Sequence, residues 1–331
     1  MVLLAVVLLA TACGEGGGAG EQDAGATPSP SPTPTASVEP TEPPVSPYVE
    51  VGAGPVGLTA AKGAVWVVSA QGETVQRIPA GASEPDLTVD VPGVPLRATA
   101  AFGSIWVTSF AGKELLRLDQ GTGEVTGSVR AGEGPEGVTS GFGSVWVVVQ
   151  DAGRLLRIDP AGNAVTADLD ITVGARLVAT GPDAMYVSHY QDNVVLRVDP
   201  GTNQVVGRST AACEGPQSMA VLDGRVWVTC TVSEEVLALD ATTLEEVARV
   251  PVAGSPDTVA VTPDGRLAVV AEEGPRLVVL DPADGAVLAE RVLGQELGLY
   301  DQANLDLAFA GGEAWVSSFD ADRVYHVPLP G

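Results

Sequence analysis

Eight side chains hold most of the chemistry open to this chain: Glu136, Arg176, His189, Gln217, Asp257, Glu272, Tyr300 and Asp301. Glu136, Arg176, Gln217 and Asp257 stand at equivalent points of four consecutive repeats, so one fold element would bring them together. Carboxylates with a neighbouring amide suit Ca²⁺ or Mg²⁺, which take oxygen ligands. The same group would equally suit a cationic ligand, or hold only water. His189 is the residue whose charge is most easily switched near neutral pH, and it could act as a ligand or a base. Lyase or lactonase chemistry would need it paired with a carboxylate such as Glu272 or Asp301. No cofactor is predicted; Ca²⁺ and Mg²⁺ are the metals these donors would fit.

The elements that must position these residues recur with a fixed beat. Trp66, Trp106, Trp146 and Tyr186 are 40 residues apart; Trp227 and Ala268 follow at 41 and Trp315 at 47. Asp119, Asp159, Asp199, Asp240 and Asp281 step by 40, 40, 41 and 41. Each unit reads as a Gly-x-x-Pro start, an apolar stretch, a Gly turn, an apolar run around the aromatic residue, a polar loop and a strand ending in Asp. A period near 40 with several strand signals per unit marks a β-propeller. In the third unit the spacing predicts strands over 136–140, 144–149, 154–159 and 165–170. The second is apolar on both faces because neighbouring blades cover both sides of a sheet.

The last unit stops after its third strand, and residues 48–51 form a strand with no unit of its own. The expectation is an all-β, seven-bladed β-propeller of four-stranded antiparallel blades over 48–331, closed by that N-terminal strand in the last blade. The residues that start the innermost strands are then Val56, Leu96, Glu136, Arg176, Gln217, Asp257 and either Asn304 or Leu305. The polar loops between second and third strands carry Asp151, Asp192, Glu234, Glu235, Glu272, Glu273, Asp320 and Asp322, which makes one face of the ring acidic. The connection into the seventh unit is six residues longer than the rest, and carries Tyr300 and Asp301. Long loops on a rigid frame are common sites of binding.

Other polar residues have structural explanations. The Asp ladder precedes tight turns, whose amides an Asp side chain can accept. His326 is in register with Arg77, Arg117, Arg157 and Arg197, a third-strand position away from the axis. Cys213 and Cys230 fall at the same end of the fifth blade, and are expected to form a disulfide. The formal net charge of −25, from 42 acidic against 17 basic residues, would repel phosphate backbones and argues against nucleic acid. It leaves cations, basic peptides or uncharged partners at the acidic face.

Residues 2–10 are apolar but too few to span a bilayer, and Ala10-Thr11-Ala12-Cys13 follows. Small residues before a lone Cys resemble a bacterial lipobox. That resemblance implies a signal peptide over 1–13, lipidation of Cys13, and attachment to the outer face of the cell membrane. Residues 14–47 are rich in Pro, Thr, Ser and Gly and include four alternating prolines at 28–34, which predicts a disordered, extended linker. In the fourth unit, Tyr186-Val187-Ser188-His189, a loop with Asn193, the Val-rich strand and Asp199-Pro200-Gly201-Thr202 resemble the YVTN propeller repeat, with His189 in place of that family's Asn. The Gly-x-x-Pro and Trp-Val pattern is also similar to propellers related to streptogramin B lyase. Those enzymes use a metal with His and Glu residues on late blades, and this chain has only two His, so the resemblance does not carry their catalytic set. Two readings follow: a lipid-anchored binding module for a protein, glycan or small molecule, expected to be a monomer, and, as the rival, a metal-assisted lyase or hydrolase.

Overall fold

The structure, a computed structural model, describes residues 46–210, 213–294 and 305–329. They form seven four-stranded antiparallel sheets. Numbered in chain order, blades 1 to 7 have the inner strands Pro55–Ala61, Pro95–Ala101, Pro135–Gly141, Ala175–Thr180, Pro216–Leu222, Pro256–Val261 and Leu307–Ala310. Blades 1 to 6 are each built from four consecutive strands, stepping outward from the axis. Blade 7 takes its outermost strand from the other end of the chain. Tyr48–Glu50 pairs with Arg323–Pro328 in the register Tyr48↔Tyr325, Val49↔Val324 and Glu50↔Arg323. His326 N–H donates to Pro47 O and Val51 N–H to Asp322 O, which extends the seam at both ends.

There is no single core. Seven apolar clusters lie between consecutive blades, and the cluster joining blade 7 to blade 1 holds Val49, Leu58, Trp315 and Val324. The repeated aromatic residue is what each blade offers to the next. Trp66 belongs to the cluster between blades 1 and 2, Trp106 to that between 2 and 3, and Trp315 closes the circle against blade 1. All five Trp side chains are fully buried. A second-strand Trp is flanked by sheet on both sides, so a run such as Ser144–Val149 carries β-branched residues on both faces and none reaches water.

A cation ladder adds to this stacking. Arg77, Arg117 and Arg157 lie opposite Trp66, Trp106 and Trp146, with guanidinium carbons 5.7, 5.0 and 5.1 Å from the ring centroids. Each also donates from Nη1 to a carbonyl in the next blade's outer turn, at Gly121, Pro160 and Pro200, all at 2.7 Å. His326 occupies this ladder position in blade 7 and stacks on Trp315 at 4.8 Å. The Asp ladder serves the turns: Asp119 Oδ1 accepts from Gly121 and Thr122 N–H, and Asp240 Oδ1 from Thr242 and Thr243 N–H. Cys213 and Cys230 are joined by a disulfide, with Cα atoms 5.8 Å apart.

Candidate functional site

The axial site is made by an irregularity repeated in blades 1 to 6. Pairing of the inner strand slips just after its first residue, between Pro135 and Val138 in blade 3 and at the same point in the other five. A bulge of this kind puts extra residues against one partner position and re-aims their side chains. Two successive residues per blade therefore serve the axis. The upper layer is Val56, Leu96, Glu136, Arg176, Gln217, Asp257 and, by the pairing Leu307↔Val316, Leu305. The lower layer is Gly57, Arg97, Gly137, Leu177, Ser218, Thr258 and Asp306. The backbone N–H that the bulge frees is recovered by a hydroxyl two residues after the central aromatic. Arg97, Leu177, Ser218 and Asp306 donate to Thr108, Ser188, Thr229 and Ser317 at 3.1, 3.1, 2.9 and 2.7 Å.

The two layers carry a network of charges. Arg176 donates from Nη2 and Nε to Glu136 Oε1 at 2.8 and 3.2 Å, and its guanidinium carbon lies 5.4 Å from the Tyr190 ring centroid. Arg97 Nη1 donates to Val56 O and stands 3.5 Å from Asp306 Oδ2. This pair spans from blade 2 to blade 7 across Gly57 of blade 1, where a Cβ would run into Leu96 O and lie 3.1 Å from Arg97 Cα. Asp306 is fixed by Leu58 and Leu307 N–H, each at 2.8 Å. Burial pushes the Asp257 carboxyl up to about 6, against the pull of Arg97, Arg176 and the Leu305 N–H. Burial likewise raises Asp306, opposed chiefly by Arg97. Glu136 Oε2, Asp257 Oδ2 and Arg97 Nη2 are buried without a hydrogen-bond partner among the described residues.

Below this network a small cavity of about 160 Å³ is lined from all seven blades, including Leu58, Arg97, Leu177, Thr258 and Asp306, which places it on the ring axis. Above it opens a funnel of about 690 Å³ over blades 7, 1, 2, 3 and 4, with Val56, Leu96, Glu136 and Arg176 at its floor. Its wall is built from the residue four places after each central aromatic: Ala70, Phe110, Gln150 and Phe319 line it, and Tyr190, Thr231 and Glu272 are the equivalents elsewhere. The loop is clipped so that this position faces the inner-strand start: Phe110 N–H donates to Val94 O, Gln150 to Gly134 O and Tyr190 to Gly174 O. The aromatic members need room in the following blade. Phe319, Phe110 and Tyr190 lie over Gly54, Gly134 and Gly215, where a Cβ would be 2.9, 3.0 and 3.1 Å from the ring. All three glycines have positive φ and immediately precede the inner-strand Pro. Where the preceding wall residue is small, as at Ala70, the position holds Val94 instead.

Four of the eight sequence-derived residues meet at the axis: Glu136, Arg176, Gln217 and Asp257. Glu272 is half-buried in the equivalent loop of blade 6, outside the funnel lining. His189 is fully buried instead of lining solvent. Its Nδ1 accepts from Asp192 N–H at 3.2 Å, so Nε2 carries the proton toward Thr172 Oγ1 at 2.7 Å, and the two nitrogens pin its own blade's loop and the connection from blade 3. Burial holds its basicity below the ordinary value. Tyr300, Asp301 and Cys13 lie outside the described residues. Arg97 and Asp306, both central to the network, were not anticipated. The signal for them was a single charged residue in each of two inner strands, next to the position already singled out. Among the described residues no group of three or more His, Cys, Asp or Glu is arranged to hold a metal ion.

Solved structures with this ring are known. A streptogramin B lyase superposes with a TM-score of 0.72 at 15% identity, over 86% of this chain and 97% of that one. The fold is that of the streptogramin B lyases. A catalytically inactive virginiamycin B lyase from Staphylococcus aureus, solved with quinupristin, matches with a TM-score of 0.71 at 15% identity over 86% of this chain and 98% of that one. Hydrazine synthase of Kuenenia stuttgartiensis matches with a TM-score of 0.72 at 13% identity over 89% and 99%. No protein-family model matches the chain, and no curated protein does.

Proposed function

We propose that this protein is a membrane-anchored, extracytoplasmic β-propeller that binds a ligand in its axial funnel. The observation that carries this reading is the funnel itself: a volume of about 690 Å³ with an aromatic and aliphatic wall and a fixed Glu136–Arg176 pair at its floor. Apolar walls with a few convergent polar groups are the usual make-up of a small-molecule site. The anchor is supported by the Ala10-Thr11-Ala12-Cys13 sequence and by the Cys213–Cys230 disulfide, which suits an oxidising compartment. A thermal-shift screen of the purified protein against peptides, oligosaccharides, aryl amines, CaCl₂ and MgCl₂ tests the binding reading, since tight ligands raise stability by mass action. At least one organic compound should raise Tm, and the shift should vanish in a Phe110→Ala, Phe319→Ala double variant. A screen without hits, or hits indifferent to those changes, overturns it. Cys13→Ala should move the protein from the membrane to the soluble fraction of cells; unchanged membrane recovery counts against the anchor.

The likeness to two lyases favours one rival, a metal-assisted lyase or hydrolase. Incubation with quinupristin and Mg²⁺ separates the two. Binding alone returns the compound unchanged, whereas a linear product, isobaric with a new retention time and fragmentation pattern if the ring is opened by elimination or heavier by one water if by hydrolysis, would favour the enzyme.

A further inference from the structure

We infer that the funnel ligand carries a cationic head, an amine or guanidinium, on an aromatic or aliphatic body, with the head against Glu136 and the body between Phe110 and Phe319. This rests on the funnel being the binding site. The first ground is the hydrogen-bond account of Glu136. Only 2% of the residue is exposed, and Arg176 Nη2 and Nε both donate to Oε1, while Oε2 has no partner among the described residues. A buried carboxylate oxygen without a donor is costly, and a ligand N–H would remove that cost.

The second ground is the balance of charge. At the axis three carboxylates (Glu136, Asp257 and Asp306) face two guanidiniums (Arg97 and Arg176). Arg97, whose Nη2 has no partner among the described residues, lines the lower cavity together with Asp306, while the charged residues lining the funnel are Glu73, Glu136 and Arg176. Asp257 is raised first by burial and to a lesser degree by the nearby Asp306 carboxylate, which adds to the negative charge around it. An anion would enter against this excess and against a formal net charge of −25, whereas a cation would be drawn in by it. The third ground is the wall. Phe110 and Phe319 line the funnel above the charged floor, and aromatic rings attract cations.

Three probes of one shape and different charge test the inference: phenethylammonium, 2-phenylethanol and phenylacetate, titrated into the full-length protein in detergent by calorimetry at pH 7.5. The ammonium should bind about tenfold tighter than the alcohol, the size of one charge-assisted hydrogen bond, and phenylacetate more weakly than either. In Glu136→Gln the ammonium-to-alcohol ratio should fall to near one. That ratio does not depend on the fraction of the variant that is folded. Phe110→Ala should weaken both compounds and lower the ratio by less than Glu136→Gln does. A wild-type ratio near one, tightest binding by phenylacetate, a preference that survives Glu136→Gln, or no binding by any probe would each overturn the inference. If screen compounds still bind in a way that Phe110→Ala removes while the probes show no charge preference, the ligand class is wrong and the binding reading stands. If nothing binds at all, both fall.

Discussion

Asp257 and His189 are both buried, and burial moves them in opposite directions. For Asp257 the fold raises the carboxyl from its ordinary value near 4 to about 6, so the folded state prefers the protonated form. Its stabilising contribution is therefore present below about pH 4 and disappears as pH climbs through about 6. Asp257→Asn, which cannot ionise, isolates this effect. The stability of the wild type relative to that variant should fall by about 2 kcal/mol between pH 4 and pH 7, since each tenfold gain in proton affinity is worth about 1.4 kcal/mol and the unfolded carboxyl is already half ionised at pH 4. Urea titrations across that range will show it, and a flat difference would mean Asp257 is not held up by burial. His189 has its basicity lowered, so its contribution is present at neutral pH and is lost on acidification. His189→Ala should cost about 1–3 kcal/mol of stability by orphaning Thr172 Oγ1 and Asp192 N–H. The funnel probes should bind it with unchanged affinity, in contrast to Glu136→Gln. Glu136, Arg176, Gln217 and Asp257 were legible in the sequence because they share one point of the repeat. Arg97 and Asp306 were not, because strict alternation along a strand sends the next residue toward a neighbouring blade.

The inner strand explains that miss. Its bulge breaks the two-residue period for one step, and a period is what sequence reading relies on. Away from the bulge, period and turn chemistry were enough: strands read at 144–149 and 154–159 are observed as Ser144–Val149 and Arg154–Asp159. The choice between Asn304 and Leu305 at the start of the seventh inner strand also needed the observed pairing, which puts Leu305 there. The residue before the inner-strand Pro carries a further element-scale consequence. Val94 holds φ of 57°, a left-handed conformation costly for a β-branched side chain, while Gly54, Gly134 and Gly215 take similar angles without a Cβ. Val94→Gly should stabilise the protein by about 1 kcal/mol. Combined with Ala70→Phe it should seat a further ring on the funnel wall. Thermal unfolding checks the first, and tighter binding of phenethylammonium the second.

On the scale of the whole molecule, stability is distributed among seven interblade clusters, and the ring exists only if the cluster between blades 7 and 1 forms. Val49, almost fully buried there, arrives on the strand Tyr48–Glu50. Deleting residues 46–51 should lower Tm by several degrees and speed amide exchange first in Arg323–Pro328, whose edge would be exposed. An unchanged melting curve would show that this strand does not hold the ring shut. The closed ring was readable in advance because one unit lacked its fourth strand while one strand lacked a unit. The ligand was not readable, because which floor oxygen Arg176 takes and which it leaves over is set by side-chain geometry and not by the repeat.

Joining the two chain ends in one blade also decides where the ring would fail under tension. A pull applied ahead of residue 46 loads the Ser46 N–H bond to Leu293 O, at the end of blade 6, and then the three paired residues at 48–50. The ring would unfasten at that seam and stay folded elsewhere, and it could snap closed again once slack returned. Were Cys13 to tether the chain as proposed, such a clasp would confine mechanical damage to this joint.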